Sequence, residues 1–120
     1  MVKIDRIAPE IPAVNIRASI EYYEQKLGFT AVTEMPSGDY AIIERDGVAI
    51  RLFQDSARAH SPVGIHIFTN QLDDLHAELL DRGALISQHI DRKPWGNRDF
   101  RVDDQTGNRI KFTEPIGDGA

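Results

Sequence analysis

The sequence predicts an α+β fold built from two βαβββ modules in tandem, whose curved mixed sheets carry helices on their outer faces and form a cleft. Two segments with apolar residues at helical spacing, each ended by a glycine, support this prediction. The strand-like segments around these helices follow the same order in both halves of the chain. We therefore predict a single domain over residues 1–120 with an internal repeat, residues 1–57 and 62–115, joined near residues 56–62.

The first module begins with an extended segment and a helix. Pro9 and Pro12 exclude helix from residues 7–14 and predict an edge strand or an exchanged strand. Asn15 can cap the helix predicted for IRASIEYYEQKLG. The segments FTAVTEM, DYAIIE and VAIRLFQ are predicted strands, and the Asp-Gly pair before the last of them predicts a hairpin turn.

The second module repeats this order. VGIHIFT is a predicted strand, and QLDDLHAELLDRG is a predicted helix with leucines on its apolar side. ALISQHI, NRDFRVDD and NRIKFTE are predicted strands, with a turn at Thr106 and Gly107 between the last two. We interpret the charged stretches RDGV and DDQTGN as solvated turns, and His76 in the second helix as a solvated side chain.

Side chains alternate between the two faces of a strand, which predicts the residues that meet on each face. Val48, Ile50, Leu52, Ile110 and Phe112 are suited to pack under the helices. The opposite face is predicted to carry Ala49, Arg51 and Phe53, Arg109, Lys111 and Thr113, Gly64, His66 and Phe68, and Ala8, Glu10 and Pro12. A face that mixes aromatic, small and charged residues is typical of a concave ligand surface.

Composition excludes several classes of function. The chain has no cysteine, which excludes disulfides, thiolate metal ligands and a cysteine nucleophile. Hydrophobic residues make up 41% of the chain, yet no stretch resembles a signal peptide or reaches membrane-spanning length, so we expect a cytoplasmic protein without a membrane partner. The net charge of -5 disfavours nucleic acid as a partner and mildly favours cationic ones.

Three segments resemble the vicinal-oxygen-chelate superfamily, which includes glyoxalase I, ring-cleaving dioxygenases, fosfomycin-resistance enzymes and bleomycin-resistance proteins. SIEYYEQKLGF is similar to the first helix and following strand of that superfamily, and VDDQTGNRIKF to its closing hairpin, in which Gln105 replaces the usual proline. PWGNRDF resembles a segment of the bleomycin-resistance proteins most closely. The resemblance covers residues 9–114, and it implies a homodimer whose N-terminal strand, at Pro9, is exchanged between subunits.

The resemblance also indicates where the enzymes of this superfamily hold a divalent metal ion. Those positions fall on Ala8, Arg51, Gly64 and Lys111, none of which is a metal ligand. The cationic side chains of Arg51 and Lys111 would repel a divalent ion. We therefore expect no metal ion, no other cofactor and no catalytic residue, and we favour a binding protein over an enzyme.

The candidate ligand-binding residues are Trp95, Gly96, Phe53, Phe68, Tyr40, His66, Arg51, Lys111 and Glu10. Trp95 lies in the polar loop KPWGN outside the periodic apolar pattern, and Gly96 would let the backbone approach a ligand closely. Glu10 and His66 suggest either a shifted metal site or, as we favour, a hydrogen-bonded or ionic pair. His66 can also replace a stacking aromatic residue, and either residue could act as a base.

We predict a non-enzymatic homodimer that binds and sequesters a small molecule of the bleomycin type, with aromatic side chains covering planar groups of the ligand. Two alternatives stay open. Arg51 and Lys111 favour an anionic metabolite as the ligand. A non-standard metal site would instead make the protein a metal-dependent enzyme of the glyoxalase or dioxygenase type.

Overall fold

The computed structural model describes residues 2–54 and 61–115 and confirms the two βαβββ modules. The first module comprises β1 (Glu10–Pro12), α1 (Ile16–Leu27), β2 (Thr30–Glu34), β3 (Tyr40–Arg45) and β4 (Val48–Phe53). The second comprises β5 (Gly64–Phe68), α2 (Leu72–Arg82), β6 (Ile86–Arg92), β7 (Arg98–Asp103) and β8 (Arg109–Thr113). The predicted join at residues 56–62 lies mostly outside the described residues. Within them, neither helix is both long and apolar enough to span a membrane.

Each module forms one four-stranded sheet, in the order β1-β4-β3-β2 and β5-β8-β7-β6. The first strand of each module pairs in parallel with the last strand of the same module, and the other pairs are antiparallel. The backbone N–H of Arg51 also donates to the carbonyl of Pro9 at 2.9 Å. Of the two alternatives predicted for the N-terminal segment, the single chain shows the edge strand.

One of the two outer strands of each sheet pairs irregularly with its neighbour. β2 shifts register against β3 between Ala31 and Thr33, and β6 shifts against β7 between Ile86 and Gln88 and between Gln88 and Asp91. Such bulges interrupt the ladder of hydrogen bonds and increase the local twist. The edges formed by β2 and β6 are therefore not flat, regular strands.

Helix α1 begins and ends as the sequence predicts, and helix α2 ends as it predicts. The side chain of Asn15 accepts a hydrogen bond from the N–H of Ala18 at 3.0 Å and caps the start of α1. Gly28 and Gly83 follow the two helices with φ angles of 76° and 83°, in the left-handed region that favours glycine. Each helix therefore stops where the chain must turn back to its sheet.

The predicted alternation of side chains is confirmed. Ile50, Leu52, Ile110 and Phe112 are buried in one hydrophobic core with the inner faces of the helices. Other members of this core are Ile11, Ile20, Tyr23, Leu27, Ile43, Leu72, Leu79, Phe100 and Val102. The opposite face of each sheet carries polar and aromatic side chains, which the helices leave uncovered.

A buried polar network joins the two modules on one side. The hydroxyl of Tyr23 donates to Oδ2 of Asp104 at 2.8 Å, and the side-chain amide of Asn108 donates to the carbonyl of Pro12 at 2.7 Å. Asp104 and Asn108 are only 4% and 1% exposed. The interpretation of DDQTGN as a solvated turn is therefore wrong for these two residues, because partners 81 and 96 residues away in the sequence bury them.

Ion pairs beside a cavity form the other junction between the modules. Arg45 donates to both carboxylate oxygens of Glu78 at 2.9 and 2.7 Å, and Arg82 donates to the same carboxylate at 2.7 Å. The hydrogen bonds from Arg45 are the largest cause that lowers the pKa of Glu78. A cavity of about 490 Å³ adjoins these ion pairs on the helix side of the sheets, where Leu27 and Leu75 contribute to its wall.

Candidate ligand-binding site

The polar face of the first sheet brings four of the predicted site residues together. The strand register pairs Glu10 with Arg51 and Tyr40 with Phe53, so their side chains share one face. The hydroxyl of Tyr40 donates to Oε2 of Glu10 at 2.9 Å, and Nη1 of Arg51 donates to the same hydroxyl at 3.4 Å. The phenol thus links a carboxylate to a guanidinium and holds both over the sheet.

The polar face of the second sheet carries His66, Lys111 and Phe68. Nδ1 of His66 lies 3.0 Å from Oγ1 of Thr113, and the ring of His66 stacks on Phe68 with centroids 6.1 Å apart. Although His66 is an exposed residue, this packing buries part of its ring. Burial, followed by the nearby charge of Lys111, lowers the pKa of His66 below its usual 6.5. The ring is therefore mostly neutral at pH 7.

Glu10 and His66 do not form the pair that the sequence favoured. The two residues lie on different sheets, where Glu10 binds Tyr40 and His66 contacts Thr113. A shifted metal site is not found either, because residues 2–54 and 61–115 contain no group of three or more acidic or histidine side chains that could hold a metal ion. Equivalent positions in the two modules need not lie in contact, because each belongs to its own sheet.

The four positions that the resemblance assigns to a metal ion do not fit one. Ala8 and Gly64 have no donor side chain, and Arg51 and Lys111 carry positive charge with no free lone pair. A Cβ added to Gly64 would lie 3.9 Å from Cε of Lys111, so the missing side chain leaves this lysine uncovered. The chemistry of this set suits an anion better than a cation.

Trp95 lies at the tip of the hairpin between β6 and β7. The N–H of Gly96 donates to the carbonyl of Lys93 at 2.9 Å, and the N–H of Lys93 donates to the carbonyl of Asn97 at 2.8 Å. Gly96 closes this tight turn with a φ of 110°, which a side chain would strain. Trp95 is 67% exposed and Phe68 is 56% exposed, so both aromatic side chains are available to a ligand or a partner.

Four polar residues of the second sheet were missed in the sequence-based site. Asp99 is buried, and its Oδ1 accepts a hydrogen bond from the side chain of Gln88 at 2.9 Å. Nζ of Lys93 and Nε of Arg101 lie 3.4 and 3.5 Å from the same carboxylate. Alternation along NRDFRVDD identifies two of the four, because Asp99 and Arg101 flank the buried Phe100 and must face the opposite side.

A cavity of about 240 Å³ lies between β4 and β5. Its wall includes Pro9, Ala49, His66 and Phe68. The larger cavity on the helix side touches neither His66 nor Trp95. We therefore assign the candidate site to the polar sheet faces and the smaller cavity. Of the predicted ligand-binding residues, His66 and Phe68 line the smaller cavity, whereas Arg51, Lys111 and Trp95 line neither cavity.

Two histidines of the second module, His76 on α2 and His89 on β6, lie in contact with each other. Nε2 of His76 lies 2.9 Å from Nδ1 of His89, and the ring of His76 packs edge-on against the buried Phe100. The prediction that His76 is solvated is therefore wrong. The residue is half-buried because its side of α2 packs against β6.

Protonation of His76 should make the protein less stable in mild acid. Burial, and then the neighbouring His89, lower the pKa of His76 below 6.5, so the folded state binds this proton less readily than the unfolded state. Its stabilising contribution is present above pH 6.5 and is lost as the pH falls towards the folded-state pKa. The free energy of unfolding, measured with urea, should fall less between pH 7 and pH 5 for His76→Gln than for the wild type. Equal losses would contradict this assignment.

Comparison with known proteins agrees with the fold. The family model of the Glyoxalase/Bleomycin resistance protein/Dioxygenase superfamily matches residues 3–112. The chain therefore belongs to this superfamily. No curated protein matches the chain by sequence.

Solved structures of similar fold include both binding proteins and enzymes. TioX from Micromonospora sp. ML1 is 19% identical, with a TM-score of 0.81, over 93% of this chain and 99% of that chain. A bleomycin-binding protein in complex with bleomycin is 16% identical, with a TM-score of 0.80, over 94% of this chain and 100% of that chain. A lactoylglutathione lyase from Agrobacterium tumefaciens is 16% identical, with a TM-score of 0.75, over 93% and 95%. At these identities the likeness shows a shared fold alone.

Proposed function

We propose that the protein is a non-enzymatic binding protein that sequesters an aromatic small molecule, with a bleomycin-type antibiotic as the first candidate. The observation that carries this proposal is the set of side chains at the four superfamily metal positions, which offer a metal ion no ligand. The exposed rings of Trp95 and Phe68 support a stacking role. The structural neighbour that was solved with bleomycin supports the choice of the first ligand to test.

We further propose that two copies of the chain complete each cleft, as a homodimer in the cytoplasm. The two polar faces lie on different sheets of one chain, so each sheet offers an open face to a second molecule. Val2, Ile4 and Ile7 precede β1 and are each at least 90% exposed. An exposed apolar segment of this kind favours contact with a partner, and exchange at Pro9 would supply it.

Light scattering at micromolar concentration should report a particle of about twice the 13.5 kDa chain mass. Replacing Ile4 and Ile7 with aspartate should shift this particle towards the monomer, because charge buried in an apolar contact is unfavourable. Leu85→Asp is the control, since Leu85 is also an exposed apolar residue but lies between α2 and β6, far in the sequence from the segment before β1. A wild-type chain that stays monomeric as its concentration is raised would contradict the proposal that two copies share each cleft.

Fluorescence tests the proposed function directly, because Trp95 is the only tryptophan of the chain. Titration with metal-free bleomycin should quench this fluorescence with saturation at about one site per chain. Rising salt should weaken the binding if the acidic surface attracts the cationic drug. Fluorescence that is unchanged at millimolar bleomycin would exclude the drug as a ligand.

Purified protein should hold no stoichiometric metal ion after dialysis against nickel, manganese or zinc, because the cationic Arg51 and Lys111 occupy ligand positions. Elemental analysis makes this measurement. The alternative, a metal-dependent enzyme, predicts one tightly bound ion per chain. Loss of such an ion in Glu10→Ala or His66→Ala would establish that alternative.

A further inference from the structure

A row of polar side chains crosses all four strands of the second sheet. The register pairs His66 with Lys111, Lys111 with Arg101, and Arg101 with Gln88. Side chains paired in this way project from the same face, with Cβ atoms about 5 Å apart. Lys111 and Arg101 are therefore direct cross-strand neighbours of like charge.

Adjacent cations on a sheet lower its stability unless an anion compensates them. The carboxylate of Asp99 lies 3.5 Å from Nε of Arg101, which is an ionic contact without hydrogen-bond geometry. Nε of Arg101 is buried and has no hydrogen-bond partner among the described residues. Asp99 also accepts from Gln88 and pairs with Lys93, so its charge is shared among several donors.

The positive charge of Lys111 is less compensated by nearby carboxylates than that of Arg101. Within residues 2–54 and 61–115, no carboxylate oxygen lies within 4.0 Å of its ammonium nitrogen. The charge of Lys111 acts on His66. Burial is the largest cause that lowers the pKa of His66, and Lys111 is the next, so the ring of the histidine stays mostly neutral. The row thus concentrates positive charge on one face of a protein whose net charge is -5.

We propose that Lys111 and Arg101 bind the anionic group of the ligand, a carboxylate, phosphate or sulfonate, while its aromatic part lies over His66 and Phe68. An oxyanion between the two side chains accepts charged hydrogen bonds from both and removes their repulsion. The stacked rings of His66 and Phe68 continue the site along β5. This inference rests on the proposed binding role, and it favours an aromatic anion over the cationic bleomycin as the ligand.

Three probes with one ring system separate charge from aromatic surface, namely 2-naphthoate, 2-naphthylmethanol and 2-naphthylmethylammonium. Calorimetry on the wild type should show naphthoate binding at least about tenfold more tightly than the alcohol, and the ammonium compound binding most weakly. Inorganic phosphate should compete with naphthoate and leave the binding of the alcohol unchanged. The competition shows whether the anionic group alone occupies the site.

Variants of the two cations test the assignment of residues. Arg101→Gln and Lys111→Gln should each remove most of the preference for naphthoate and leave the alcohol bound as before, whereas Lys111→Arg should keep the preference. Arg109→Gln is the matched control, because Arg109 lies on the same strand and face as Lys111 but pairs with Asp103 at 3.1 Å. This control removes the same net charge and should keep the preference for naphthoate.

Each outcome supports or overturns the inference. Equal binding of naphthoate and the alcohol by the wild type would overturn the anion site and leave the proposed function standing. An equal loss of preference in Arg109→Gln and Lys111→Gln would show that the preference for naphthoate comes from general electrostatic attraction and not from a specific anion site. A preference kept in both glutamine variants, at unchanged melting temperature, would overturn the residue assignment. Failure of all three probes to bind would overturn the proposed function as well.

Discussion

Replacing Asp104 with alanine should lower the free energy of unfolding by about 3 kcal/mol or more. The carboxylate accepts hydrogen bonds from the hydroxyl of Tyr23 at 2.8 Å, from the N–H groups of Thr106 and Asn108 at 2.9 Å each, and from the side chain of Asn108 at 3.0 Å. Each buried donor left without a partner costs about 1–3 kcal/mol. Burial raises the pKa of Tyr23 well above 10, so its hydroxyl stays a donor.

Urea unfolding monitored by circular dichroism measures this change. Asp103→Ala is the matched control, since Asp103 is the adjacent acid but pairs at the surface with Arg109. That variant should lose less than about 1 kcal/mol, as is usual for an exposed ion pair. Equal losses in the two variants would contradict a special role for the buried network between the modules.

Removing the indole of Trp95 should weaken ligand binding by about 1–3 kcal/mol, the scale of one lost aromatic contact. The side chain is 67% exposed, so Trp95→Ala should leave the thermal stability of the free protein nearly unchanged. Calorimetry with bleomycin and with 2-naphthoate measures the binding, because the variant has no tryptophan to report it. The effect should be largest for the compound that the wild type binds most tightly.

Leu80→Ala is the control for this prediction. Leu80 is an exposed apolar residue on α2, away from the polar sheet faces, so its loss should not affect binding. If Trp95→Ala binds both compounds as the wild type does and only lowers the melting temperature, the tryptophan has a structural role. That result would remove the hairpin tip from the candidate site.

The local features of the fold were predictable because they depend on neighbours in the sequence. Helix ends follow from Asn15 and Gly28, whose capping roles need only a few adjacent residues. The faces of β4 and β8 follow from strict alternation, so Arg51 and Lys111 were placed correctly opposite the buried core. The same order of predicted elements in both halves of the chain indicated the two modules.

The long-range features were not predictable from such patterns. Asp104 and Asn108 lie in a segment with the composition of a solvated turn, and only their contacts with the first module bury them. Glu10 and His66 were paired wrongly because equivalent positions in the two modules belong to separate sheets, and each side chain has its partner within its own sheet. Alternation places Arg101 on the polar face, but only the register places it beside Lys111.

The irregular outer strands have a consequence for how molecules behave when they crowd together. A long, flat edge would accept the edge of a neighbouring molecule, and repetition of that contact would build a filament. The register shifts between Ala31 and Thr33 and between Gln88 and Asp91 break the row of donors and acceptors along the β2 and β6 edges. Growth of a fibre through these two edges is therefore hindered, and only the short strands β1 and β5 remain as regular edges that a neighbouring molecule could extend.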